Sequence, residues 1–193
     1  MDVDWSRPIW EKTGMNEILG LPMSQNGFVV PFLSELAKVA RPSHVAEIGT
    51  GFGGLTALIA TFSDITTFDL KNPKYNFDSP CREDISFVKG DVFDECHDAV
   101  VEALRGYWDV REDVCWLLCD GGDKNREVET FAAFLKPGDV IAAHDFAPTN
   151  EWWNWNEIDE QRVEKVAREQ NLVTIPELQY DRKAAWWVRR KAS

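Results

Sequence analysis

Apolar positions along this chain come in short runs parted by polar, acidic or glycine-rich stretches, and the runs alternate between two spacings. "GFVVPFLSELAKVARP" sets Phe28, Phe32, Leu33, Leu36, Ala37 and Val39 on a helical stripe that Arg41-Pro42 stops. "HVAEIG" follows as an apolar run too short for a helix, then a glycine turn, then the helical "GLTALIATF". The strand signal recurs in "ITTFDL", "ISFVKGD", "VCWLLCDGG" and "VIAAHDF", while "REVETFAAFL" predicts a helix stopped by "KPGD". "EIDEQRVEKVAREQ" predicts a further helix, with Glu160 and Glu164 set against Lys165 and Arg168 on a solvated face. The last two runs, "NLVTIPEL" and "AAWWVRR", are separated only by "QYDRK", a gap short enough for a hairpin. "DWSRPIWEKTGMNEILGLPMSQNG", near the N-terminus, is too irregular for a strand.

Strands alternating with helices predict a doubly wound α/β fold, Rossmann-like, with a mostly parallel seven-stranded sheet and a C-terminal antiparallel hairpin. The length of 193 residues fits a single domain, with residues 1–27 as an extension or lid. Ligands of such sheets bind beyond the carboxyl ends of the strands, where strand order reverses. The first parallel strand ends in glycines. The other four end in or just before an acid: Asp69, Asp91, Asp120 and the pair His144-Asp145. Acids scattered at random would not all fall on one edge, so the pattern marks a site.

Charge narrows what that site can take. With 33 Asp+Glu against 21 Lys+Arg the net charge is -12, which repels polyphosphate, so nucleic acid is not an expected partner. The N-terminus has acids where a signal peptide needs positive charge, and no apolar run is long enough to span a membrane. Cys81, Cys96, Cys115 and Cys119 show neither CxxC spacing nor a secreted framework, which together predicts a cytoplasmic protein off the membrane.

"EIGTGFGG", Glu47 to Gly54, is a turn whose glycines bring backbone N–H groups and a helix N-terminus close to a ligand. Gly49, Gly51 and Gly54 also satisfy GxGxxG, so a nicotinamide-dependent oxidoreductase is an alternative. Asp69 suits ribose hydroxyls in either case, but a pyrophosphate would not welcome Glu47 beside it. A cationic, phosphate-free cofactor fits better.

"VAEIGTGFGG", "TFDL" and "KGDVFD", in that order and spacing, resemble the motifs of class I S-adenosylmethionine-dependent methyltransferases. Gln25 and "LLCDGGDKNREVETFAAFLKPGDVIAAHDF" extend the resemblance to the macrocin O-methyltransferase and cephalosporin hydroxylase group, over about residues 25–150. The resemblance implies that Gly49, Thr50, Gly51 and Gly53 cradle the methionine part of S-adenosylmethionine, with Glu47 anchoring the loop and the ammonium side. It further implies that Asp69 takes the ribose hydroxyls and that Asp91 and Val92 meet the adenine amino group. Asp120 would serve the cofactor and a divalent metal, magnesium or manganese, shared with the strand after it. The activity implied is methyl transfer to a hydroxyl of a small-molecule acceptor; a non-catalytic cofactor-binding module is a second alternative.

Three readings of Asp120, His144 and Asp145 stay open. They bind a metal that acidifies the acceptor hydroxyl, or His144 is a general base oriented by an aspartate, or the group is a satisfied structural pair. The resembled group carries a carboxylate where His144 stands, and a nitrogen ligand shifts metal preference away from magnesium. Strand alternation would turn one of His144 and Asp145 away, unless it fails where the strand opens into its loop. The loop "APTNEWWNWNEIDE" puts Trp152, Trp153 and Trp155, with Asn150, Asn154 and Asn156, at the mouth as an acceptor wall, a tryptophan cluster closing the sheet edge, or a contact in a homo-oligomer. His44 and His97 read as surface or cap residues, and Lys124 and Asn125 as a solvated turn.

Overall fold

The computed structural model describes residues 16–18, 21–72, 82–105, 113–149 and 153–193. Its centre is a seven-stranded sheet, ordered β5-β4-β3-β6-β7-β9-β8. β3 (His44–Ile48), β4 (Asp64–Asp69), β5 (Ile85–Lys89), β6 (Cys115–Cys119) and β7 (Val140–His144) run parallel, and β8 (Leu172–Val173) and β9 (Trp186–Lys191) complete it antiparallel. The chain moves outward from β3 to β5, then returns to place β6 on the other side of β3. The order therefore reverses between β3 and β6, and the loops after these two strands face each other there.

Alternation along the central strands builds two cores. Ala46, Leu117, Ile141 and Ala143 face one side, with Val100, Leu104, Val128, Phe131 and Val163 from the covering helices. Val45, Trp116, Leu118, Val140 and Ala142 face the other, against Phe32, Leu33 and Leu36. The first layer comprises α3 (His97–Arg105), α4 (Lys124–Phe131) and α5 (Glu160–Glu169); the second holds α1 (Val29–Val39) and α2 (Gly54–Ile59). Asp123 caps α4 by accepting from the Arg126 N–H, and Asp159 caps α5.

The structure changes several expectations. The N-terminal segment does contain strands: β1 (Asn16–Ile18) and β2 (Leu21–Met23) pair antiparallel, three residues each and thus too short for any periodicity to show. The eight-residue run "NLVTIPEL" keeps only Leu172–Val173 as strand. Residues 174–185 turn through Pro176, which has no ladder donor, and β9 inserts between β7 and β8. The antiparallel pairing holds, but the connection is no tight hairpin. α3 was not anticipated, although Val100, Val101 and Leu104 bury one face. Glu164 is not on a solvated face: it accepts from the Trp187 indole at 2.8 Å and pairs with Arg189. Cys96, Cys115 and Cys119 are buried free thiols, and burial pushes Cys115 up to about 12. No helix among the described residues is long and apolar enough to cross a membrane.

Candidate functional site

The loop between β3 and α2 needs three left-handed residues, Gly49 (φ 95), Gly51 (φ 54) and Gly53 (φ 86), to turn within five positions. A Cβ on Gly49 would collide with the backbone carbonyl of Asp120, and one on Gly54 would lie 2.5 Å from the Pro22 carbonyl oxygen. Glycine at these positions lets three segments close on one another. The space they leave is a cavity of about 430 Å³, within the range of small-molecule sites. Its wall includes Gly49–Gly54, Asp69, Asp91, Val92 and Asp120, together with Met23 to Gln25 on the N-terminal side. Its acids are Asp69, Asp91, Asp120, Asp123 and Glu127, and among the described residues no lysine, arginine or histidine lines it.

Most of the anticipated cofactor residues thus share one cavity. Asp69 is fixed by accepting from the Gly51 N–H at 3.0 Å and the Lys71 N–H at 3.0 Å, and Asp91 accepts from the Phe93 N–H at 2.8 Å. Glu47 is the exception: it is fully buried behind the loop and does not line the cavity. Its Oε2 accepts from Thr56 Oγ1 at 2.5 Å and Thr67 Oγ1 at 2.6 Å, while its buried Oε1 has no partner. Burial pushes its carboxyl up to about 7 against the lowering effect of those hydroxyls. Thr50, bonded to Thr67 at 2.7 Å, joins the same brace.

At the ends of β6 and β7 the expected trio meets. Ligating atoms of Asp120, His144 and Asp145 all lie within 4.8 Å of one another, the one such group among the described residues. His144 Nδ1 is 3.1 Å from Asp120 Oδ1 and 3.3 Å from Asp145 Oδ1. The alternation that would have turned Asp145 away is broken by its own left-handed conformation, φ 62, which aspartate tolerates better than most residues. Adjacent ligands of a six-coordinate ion at ~2.1 Å stand ~3 Å apart, so this donor set fits a divalent cation. The imidazole is packed between Trp153 and Trp186, 2 % exposed, with Nε2 buried and unpartnered.

Several residues around this trio were misjudged from the sequence. Lys124 and Asn125 are buried, not a solvated turn. Lys124 Nζ donates to Glu157 Oε2 at 2.7 Å and the Gly121 carbonyl at 3.0 Å, and lies 3.0 Å from Asp145 Oδ2. Burial alone would lower its pKa, but Asp120, Glu157 and Asp145 outweigh that and raise it. Asn125 holds the loop, donating to the Glu157 carbonyl and accepting from the Asp159 N–H, each at 2.8 Å. Glu127, not singled out from sequence, lines the cavity, accepts from the Gly121 N–H at 3.3 Å, and is pushed by burial up to about 7. Gln25 donates through Nε2 to Asp120 Oδ2.

The tryptophan loop divides. Trp153 is buried and donates to Asp145 Oδ1 at 2.8 Å, supporting the trio rather than forming a wall. Trp155 is exposed. Asn156 accepts from the Ala147 N–H at 2.7 Å, Asn154 is exposed, and Asn150 and Trp152 lie outside the described residues. His44 is the half-buried first residue of β3, its pKa lowered by burial, and His97 packs on Phe131 and Phe134; both stand away from the trio's edge.

No family model matches the chain, and no curated protein matches it. Solved structures do. The apo structure of CmcI superposes with a TM-score of 0.69 at 16% identity, covering 92% of this chain and 76% of CmcI. A 1,6-didemethyltoxoflavin-N1-methyltransferase of Burkholderia thailandensis, with bound 1,6-didemethyltoxoflavin and S-adenosylhomocysteine, gives 0.53 at 19%, covering 86% and 78%. MycE, a methyltransferase of the mycinamycin pathway in complex with Mg and S-adenosylhomocysteine, gives 0.50 at 18%, covering 84% of this chain and 48% of MycE, so the chain spans about half of that protein's length. The fold is therefore the Rossmann-like methyltransferase fold, as the sequence motifs implied.

Proposed function

We propose that this chain is an S-adenosylmethionine-dependent methyltransferase that transfers the methyl group to a hydroxyl of a small molecule. The observation that carries the reading is the cavity at the switch point. It joins the glycine loop, Asp69, Asp91 and Asp120 in one wall, has no cationic side chain on it among the described residues, and abuts a trio of polar groups where the acceptor would meet the cofactor. The MycE and 1,6-didemethyltoxoflavin-N1-methyltransferase structures hold S-adenosylhomocysteine, and the MycE structure also holds magnesium. An acidic wall suits a ligand that bears a sulfonium and an ammonium and opposes a pyrophosphate, which speaks against the nicotinamide alternative.

In this reading the backbone of Gly49, Thr50, Gly51 and Gly53 holds the methionine part, with Glu47 bracing the loop from behind. Asp69 accepts the ribose hydroxyls, already held in place by the Gly51 and Lys71 N–H groups. Asp91 and Val92 meet the adenine edge, where an exocyclic amine needs an acceptor. When bound, the cofactor supplies an activated methyl, and a divalent cation held by Asp120, His144 and Asp145 would add Lewis acidity at the acceptor oxygen. Asp120 is the member of the trio that lines the cavity; with no cation there, the acceptor's proton would pass to its carboxylate, whose Oδ1 stands 3.1 Å from His144 Nδ1. Rate enhancement would come mostly from alignment, since the methyl arrives activated. This reading takes the chain as one cytoplasmic domain, with Met23 to Gln25 on the cavity wall; residues 1–15 of the expected extension or lid lie outside the described residues.

Calorimetric titration with S-adenosylhomocysteine and, separately, NAD tests the cofactor. Micromolar binding of the first and none of the second is expected. NAD binding without S-adenosylhomocysteine binding would replace this reading with the oxidoreductase. Cofactor binding with no methyl transfer across a panel of hydroxylated acceptors would leave a binding module.

A further inference from the structure

Lys124 puts a permanent positive charge where a divalent ion would also be drawn. Its side chain is 6% exposed, and Nζ lies 3.0 Å from Asp145 Oδ2, 2.7 Å from Glu157 Oε2 and 3.0 Å from the Gly121 carbonyl oxygen. These three partners match the three protons of an ammonium. The lysine stands at the first position of α4, so the helix N-terminus adds positive potential at the same place.

The trio is correspondingly well supplied with donors. Asp120 Oδ1 faces His144 Nδ1 and Asp120 Oδ2 accepts from Gln25; Asp145 Oδ1 accepts from the Trp153 indole and Asp145 Oδ2 from Lys124. Each of the four carboxylate oxygens therefore has a protein partner. A cation entering this edge must displace or share those donors, and it must do so beside an ammonium that is itself held by Glu157.

We propose that Lys124 is a resident competitor for the divalent cation, tethered by Glu157 and placed on Asp145 so that it keeps metal affinity at this edge low. The inference rests on the reading of Asp120, His144 and Asp145 as a cation site. With lysine in place, one positive charge offsets the carboxylates of Asp120, Asp145 and Glu157; without it none does. The electrostatic cost of bringing a second cation to the same carboxylate is also gone. Lys124 is a positioning residue here, and its effect falls on metal binding rather than on the cofactor cavity, which it does not line.

The test is titration of the full chain with Mn²⁺, followed by the paramagnetic resonance of the free ion, for the wild type, Lys124→Met and Glu157→Gln, each also titrated with S-adenosylhomocysteine. Lys124→Met should bind Mn²⁺ at least tenfold more tightly than the wild type. Glu157→Gln, which leaves Asp145 as the one carboxylate in contact with the ammonium, should bind it no more tightly than the wild type. Equal or weaker Mn²⁺ binding by Lys124→Met, or no Mn²⁺ binding by either protein, overturns the proposal. So does a shift of both variants in the same direction, the signature of a merely structural bridge. Should circular dichroism show that Lys124→Met is unfolded, Lys124→Gln carries the same comparison with a neutral hydrogen-bonding side chain. Failure of the wild type to bind S-adenosylhomocysteine strikes the cofactor reading and leaves the Mn²⁺ comparison to decide this one.

Discussion

On the β3 side of the switch point the cavity is made largely of backbone. Gly49, Gly51 and Gly53 turn the loop, and the carboxylates that face the space are held by N–H groups no more than eighteen positions away. On the β6 and β7 side the site is made of side chains drawn from distant segments. Gln25 reaches Asp120 across 95 positions, and Lys124 reaches Glu157 across 33. The first region is open to a ligand; the second is closed, with His144 and Asp145 buried between tryptophans and an ammonium. Space in the first region is thus built by omitting side chains, while the second region is closed by pairing them.

The sharpest way to break the first region is to restore one omitted side chain. Gly49→Ala must fit a Cβ against the Asp120 backbone at φ 95, so strain and overpacking act together; a loss of about 2–5 kcal/mol in urea denaturation and of S-adenosylhomocysteine binding is expected. Gly51→Ala, two positions on, meets nothing within 4 Å and costs only its left-handed conformation, about 1–2 kcal/mol. Equal losses from the two variants would mean that the close approach of the β3 and β6 loops does not shape the cavity.

The same contrast explains what could be read from the sequence. Alternating apolar runs predicted the five parallel strands because each strand's faces are buried by local pattern, and the glycine loop with Asp69 and Asp91 was visible because its parts are sequential. The trio was foreseen as three acids and bases at strand ends, but not its arrangement. Nothing in "HDF" announces that Asp145 adopts φ 62 and so stays beside His144. Lys124 looked like a turn residue because its partner, Glu157, belongs to another loop, and Trp153 looked like a wall because an indole's single donor does not reveal its acceptor. Glu47 was placed in the cavity on the strength of its charge. The hydroxyls of Thr56 and Thr67 hold it behind the loop instead.

That displacement gives Glu47 a pH signature smaller than the glycine effect. Its carboxyl, raised by burial to about 7, binds a proton more readily in the folded chain than in the unfolded one. Stability from this group is fully present below about pH 4.5 and is lost as pH rises through about 7. A rise from 4.5 to about 7 corresponds to roughly 3 kcal/mol. Glu47→Gln keeps an acceptor for the two threonines but cannot ionise, so its melting temperature should match the wild type near pH 5 and exceed it near pH 8. Parallel pH profiles for the two proteins would show that Glu47 does not titrate in this range.

The smallest effect on the fold, and the most telling for the acceptor, is expected at Trp155. Its ring is 62% exposed and its indole donates to Glu157 Oε1 at 2.7 Å, so Trp155→Ala should change stability by less than about 1 kcal/mol. If the exposed ring forms the acceptor wall, the lost contact is made equally in the ground and transition states, and KM rises severalfold with kcat unchanged. Trp155→Phe separates the two things the residue offers: it keeps an aromatic face and removes the N–H that meets Glu157. Recovery of KM in the Phe variant identifies stacking. The same defect in both variants would assign the effect to Glu157, and through it to Lys124, making Trp155 part of the closed region after all; an unchanged KM in Trp155→Ala would remove the ring from acceptor binding altogether.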